Sequence, residues 1–136
     1  MASFILNTPI MNDIANAINS DCSNGYLQIY TGAPPGPGNA PTGTLLANLT
    51  LPPAANNSVA NGIITFGAIA QVNANNTGTA NYFMLFKSAG PGNAANCIAQ
   101  GDVGTSGATL NLNTTSIVAN GPVAITAFSI TMPAGT

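Results

Sequence analysis

Gly, Pro and Asn recur so densely along this chain that its apolar residues are cut into short clusters, and that punctuation limits what it can fold into. With 15 Gly, 10 Pro and 19 Asn among 136 residues, the clusters after the first 25 residues are of strand length, not helix length. Tyr26–Thr31, Thr44–Leu51, Ile63–Val72, Asn81–Lys87, Asn96–Gly101, Thr109–Leu112 and Val123–Met132 therefore read as strands. The run within Asn81–Lys87 is the most apolar and is expected to be a central strand buried on both faces. In Val123–Met132 the alternation puts Ala124, Thr126, Phe128, Ile130 and Met132 on one face. Seven or eight short strands in a chain of one-domain size predict a mainly β fold, a single-domain antiparallel β-sandwich or jelly-roll-like barrel. No fixed period recurs between Gly43 and Gly121, which argues against a solenoid.

One helix is expected, over about residues 9–20. Thr8 suits its N-cap and Pro9 its first position, and Ile10, Ile14 and Ile18 recur at helical spacing with Met11 and Ala15 beside them. Asn12, Asp13, Asn16 and Asn19 fill the other face. Asp21-Cys22-Ser23-Asn24-Gly25 ends the helix, with Gly25 as the candidate left-handed residue. Residues 1–8 then form an N-terminal arm ahead of a single domain over 9–136. The Pro/Gly loop of residues 32–41 and a second loop, Pro52–Gly62, look like arms or knob tips.

Charge is nearly absent. Lys87, Asp13, Asp21 and Asp102 are the only charged side chains, and Arg, Glu, His and Trp do not occur. The polar surface is therefore made of amides and hydroxyls, which carry no electrostatic repulsion and little side-chain entropy against packing on a neighbour. Nucleic-acid binding needs Lys or Arg to displace counterions from phosphates, and one Lys does not supply it. No apolar run approaches the ~20 residues of a membrane helix. Met1–Asp13 lacks a basic n-region, so a cytoplasmic product is expected, and the N-x-S/T triplets at Asn48, Asn56, Asn75 and Asn113 read as products of Asn and Thr richness.

Chemistry has little to work with. The three Asp lie in a helix face, a helix end and the turn Gly101-Asp102-Val103-Gly104, each with a structural explanation. No His can activate a nucleophile or complete a metal site around Cys22 and Cys97, and Gly104-Thr105-Ser106-Gly107 is not a phosphate loop. The expectation is a protein with no catalytic residue, no metal and no cofactor. Two free thiols are expected, with a Cys22–Cys97 disulfide as the alternative. Tyr26, Tyr30 and Tyr82 read as packing residues with solvated hydroxyls, the alternative being sugar-stacking platforms.

Gly101–Ile117, followed by Val123–Pro133, resembles the C-terminal half of a family of short tailed-phage and prophage virion proteins. A helix leading into Leu27-Gln28-Ile29-Tyr30-Thr31-Gly32, and later Thr42-Gly43-Thr44-Leu45-Leu46-Ala47, is similar to the same family. The Pro/Gly loop and the insert Pro52–Gly62 depart from its pattern. The resemblance implies a structural role, in the manner of head decoration (cement) proteins: a homo-oligomer, commonly a trimer, bound to the major capsid protein on the outer surface of the head. The alternative is a tail, neck or adsorption protein of the same kind of particle, and a cellular interaction module is a third reading. Phe4, Ile5, Leu6, Pro34, Pro35, Pro37 and Pro41 are the candidate contact residues.

Overall fold

The computed structural model describes residues 5–90 and 92–132. The fold is mainly β, a single domain built on one large curled sheet that is antiparallel at all but one junction, in the manner of a sandwich or barrel. The described residues hold a helix, α1 (Thr8–Cys22), two single 3-10 turns (Ala54–Asn56 and Ala94–Asn96), and twelve strands. These are β1 (Tyr26–Tyr30), β2 (Leu45–Thr50), β3 (Ser58–Ala60), β4 (Ile63–Thr65), β5 (Val72–Asn73), β6 (Gly78–Thr79), β7 (Tyr82–Phe86), β8 (Cys97–Gly104), β9 (Leu110–Leu112), β10 (Ser116–Ile117), β11 (Pro122–Val123) and β12 (Ile125–Thr131). The large sheet has the order β2-β1-β7-β8-β9-β12-β4-β3, and the pairs β10-β6 and β11-β5 form two small separate sheets.

β7 is the central buried strand that its composition predicts, all five residues being buried between β1 and β8. Its two faces feed two cores. Phe83 and Leu85 join Leu27, Ile29, Leu110, Leu112 and Phe128 in the main core. Tyr82, Met84 and Phe86 join Tyr30 on the opposite face, with Tyr26, Leu45 and Cys97 packed against them. Burying a side chain of this size contributes about 1.5–3 kcal/mol, so the strand that serves both cores organises the domain. In β12 the alternation holds from Ala127 onward, with Phe128, Ile130 and Met132 inward; a bulge between Ile125 and Ala127 resets it before that point.

Five expectations are corrected. Asn7, not Thr8, caps α1, its side-chain oxygen accepting from Thr8 N at 2.9 Å. The helix also turns a different face inward: Ala15, Asn19 and Cys22 are buried, with Met11 and Ile18 partly so, whereas Ile10 and Ile14 lie on an exposed flank. Asn12 and Asn19 point in because they bond there. Asn12 Oδ1 accepts from Gly62 N at 2.7 Å, and Asn19 donates to Ala54 O at 3.2 Å while accepting from Asn57 Nδ2 at 2.8 Å. At the helix end Asn24, not Gly25, takes the positive φ of 57°.

The fourth correction concerns Pro52–Gly62, which is no free loop. It folds into a 3-10 turn and the hairpin β3-β4, turned by Asn61 and Gly62 at φ 53° and 74°, the two left-handed residues of a tight primed turn. The fifth is that the predicted strand Ile63–Val72 breaks after Thr65 and resumes only at Val72. No helix among the described residues is long and apolar enough to cross a membrane.

Candidate assembly surface

The predicted contact residues occupy two places. Phe4 lies outside the described residues. Ile5 is 71% exposed, and it is followed along the N-terminal segment and the flank of α1 by Ile10 at 48% and Ile14 at 39%, with Leu6 half-buried. Of the exposed large hydrophobics among the described residues, all but Val118 fall between residues 5 and 14, a stripe along the sequence. These three isoleucines are the apolar surface that a contact at this end of the chain would remove from water.

Pro34, Pro35, Pro37 and Pro41 lie in the Pro/Gly loop, which is strapped to the sheet. Gly36 N donates to Gln100 Oε1 at 2.9 Å, and the amides of Thr42 and Gly43 donate to the Tyr82 hydroxyl at 3.3 and 3.4 Å. Asn39 ties the loop to itself through Pro35 O at 3.0 Å. The loop thereby covers the second core, where Tyr30 and Tyr82 stack at 5.4 Å. Pro34 and Pro37 remain exposed on its outside, and Pro35 and Pro41 are half-buried. The tyrosine hydroxyls are engaged by protein: Tyr30 donates to Gln28, which donates to Asn48 at 3.1 Å. Burial pushes the Tyr30 phenol up to about 12. Tyr30 and Tyr82 are thus core residues, not sugar platforms.

The titratable groups are spread over the molecule. Asp13, Asp21 and Lys87 are exposed on α1 and after β7. Asp102 accepts from Thr109 N at 3.1 Å, and the Thr109 hydroxyl and backbone N–H hold its carboxyl below the usual carboxylate value. Cys22 and Cys97 are both free. They belong to opposite faces of the sheet, Cys22 in the main core and Cys97 against the second, so the disulfide alternative is set aside. Burial, with the Asp21 charge adding to it, pushes the Cys22 thiol up to about 12, which leaves no thiolate for chemistry near neutral pH.

One feature was not legible in the sequence. β9 joins β8 in parallel, the one parallel junction of the sheet, and only through Val103–Leu110 and Gly104–Asn111. The connecting loop is clamped by Asn111, whose side chain bonds both the N–H and the C=O of Ala108, at 3.1 and 2.9 Å. Below this junction β8 and β12 diverge and enclose a cleft of about 430 Å³, lined by Ala99, Gln100 and Gly101 on one side and Ser129, Ile130 and Thr131 on the other. Phe83 also lines it, its ring lying where a β-carbon on Gly101 would stand, 2.5 Å away. A run of small residues was the available signal, but strand order was needed to interpret it. Comparison with protein-family models, with curated proteins and with solved structures gave no match.

Proposed function

We propose that this chain is a non-enzymatic structural subunit of a tailed-phage particle, placed on the outside of the head as a decoration protein that binds the major-capsid lattice. The observation that carries the reading is the pairing of an almost chargeless surface with the stripe Ile5, Ile10 and Ile14. A surface of amides and hydroxyls packs against a neighbour without desolvating ions, and the isoleucines supply apolar area that contact would remove from water. The thiol and phenol chemistry supports a passive role, since Cys22 and Tyr30 are both held in their neutral forms. The resemblance of Gly101–Ile117 and Val123–Pro133 to short virion proteins supports the choice of particle, and a homo-oligomer on the lattice would cover the stripe.

The test is rebinding. Purified chain added to heads that lack it should bind to saturation at a simple ratio to the major capsid protein, without effect on particles that already carry it. Binding to isolated tails or to host cells, with none to heads, would move the protein to the neck or adsorption apparatus. Binding to neither would end the phage reading.

A further inference from the structure

We propose that the cleft between β8 and β12 is an acceptor for an extended segment, and that its occupant is the N-terminal segment, residues 2–7, of a second copy of this chain. The inference concerns how copies join and stands independently of the particle they serve.

Both walls of the cleft are strand edges. Against β7, β8 is paired along most of its length, but on its other edge no strand among the described residues pairs with Cys97–Asp102. For β12, Phe128 O accepts from Phe66 N and Met132 N donates to Gly62 O. Backbone direction alternates along an antiparallel strand, so Phe128, Ile130 and Met132 face β4, while the N–H and C=O groups of Ser129 and Thr131 face the cleft. Two rows of main-chain donors and acceptors opposite one another are matched by one thing, another extended backbone. Natural edges are commonly blocked by Lys, Pro or a bulge aimed outward. Here the facing residues are Ala99, Gln100 and Gly101 against Ser129, Ile130 and Thr131, none charged and none Pro, and the irregularity in the β7-β8 register lies between Cys97 and Ala99, at the start of β8. β9 and the loop residues Gly107, Ala108 and Thr109 close one end.

The occupant follows from what remains of the chain. Ala2-Ser3-Phe4-Ile5-Leu6-Asn7 has no charge and no Pro, and its three large apolar residues are strong or moderate strand formers. Extended, six residues reach ~20 Å, against ~10 Å for the three residues Ser129–Thr131 along the cleft wall. Small acceptor residues, Ala99, Gly107 and Ala108, leave room for large donor side chains such as Phe4 and Leu6. Ile5 makes an isolated bridge within its own chain and is still 71% exposed. With most of its side chain outside its own chain's core, Ile5 is available to the cleft of another copy, whose flank would then cover Ile10 and Ile14 behind it.

The experiment compares the full chain with a variant lacking residues 2–6, by sedimentation velocity and by amide hydrogen exchange across a range of concentrations. Association of the full chain, a monomeric but folded deletion variant, and protection of the Ser129 and Thr131 amides that appears only in the associated state are expected. A peptide of residues 2–7 added to the deletion variant should restore that protection. If the deletion prevents folding, Phe4→Asp with Leu6→Asp in the full chain takes its place, with the same loss of association expected. Equal association of full chain and variants, or free exchange at Ser129 and Thr131 in the associated state, would overturn the proposal. Protection that is independent of concentration in a monomeric full chain would overturn it in favour of the chain's own segment.

Discussion

At Gly101 the backbone makes room for a ring. A β-carbon there would stand 2.5 Å from the Phe83 ring directly across the β7-β8 pair, so Gly101→Ala must displace an aromatic that also meets Phe128 edge-on at 5.3 Å. We expect a loss of about 1–3 kcal/mol in denaturant unfolding, the usual cost of overpacking, and less if Phe83 is shortened to Leu in the same chain. Cys22 supports a second prediction. Its thiol is neutral in the folded chain up to about 12 but ionises near 9.0 when ordinary, so the unfolded chain releases its proton first. The stabilisation is complete below pH 9 and is lost as pH rises from 9 towards 12; Tyr30, raised from 10.0 to about 12, adds to the loss. Stability measured from pH 7 to 11 should fall on the alkaline side, and less steeply in Cys22→Ala. A thiol reagent should leave Cys22 unmodified until the chain unfolds. Little of this was readable from the sequence, because a lone Gly or Cys takes its meaning from what crosses above it.

At the scale of elements, strands were legible where burial on two faces enforced a continuous apolar run, as in β7, or where one buried face enforced alternation, as in β12 after its bulge. The helix was legible as a helix but not in its orientation. Apolar periodicity favoured Ile10 and Ile14 as the inner face, whereas the hydrogen bonds of Asn12 and Asn19 to Gly62, Ala54 and Asn57 turn the adjacent face inward. Amides with fixed partners set the orientation here, at the expense of burying two isoleucines. Two substitutions separate these roles. Asn19→Ala leaves Ala54 O and the Asn57 amide without this partner and should cost about 1–3 kcal/mol, read by thermal or chemical unfolding. Ile10→Ser with Ile14→Ser should change unfolding by no more than ~0.5 kcal/mol per site, while weakening association measured by sedimentation. The hairpin β3-β4 was missed although Asn61-Gly62 is a strong turn signal, because the surrounding Pro and Asn obscured strands of three residues each.

For the whole molecule, punctuation by Gly, Pro and Asn was enough to predict a single mainly β domain with one helix, since short apolar clusters can be buried only by stacking many strands. Strand order, the parallel β8-β9 junction and the cleft below it depend on long-range pairing that no local pattern encodes. The Pro/Gly loop illustrates the same limit: its composition forbids regular structure, but only the sheet beneath it shows why it is held down. A lattice subunit should be present in numbers commensurate with the lattice. The most direct measurement is therefore the copy number of this chain per purified virion, by quantitative mass spectrometry against the major capsid protein. A head decoration protein predicts a simple ratio to the capsid subunit, hundreds of copies per particle; a handful of copies, or none, would contradict it.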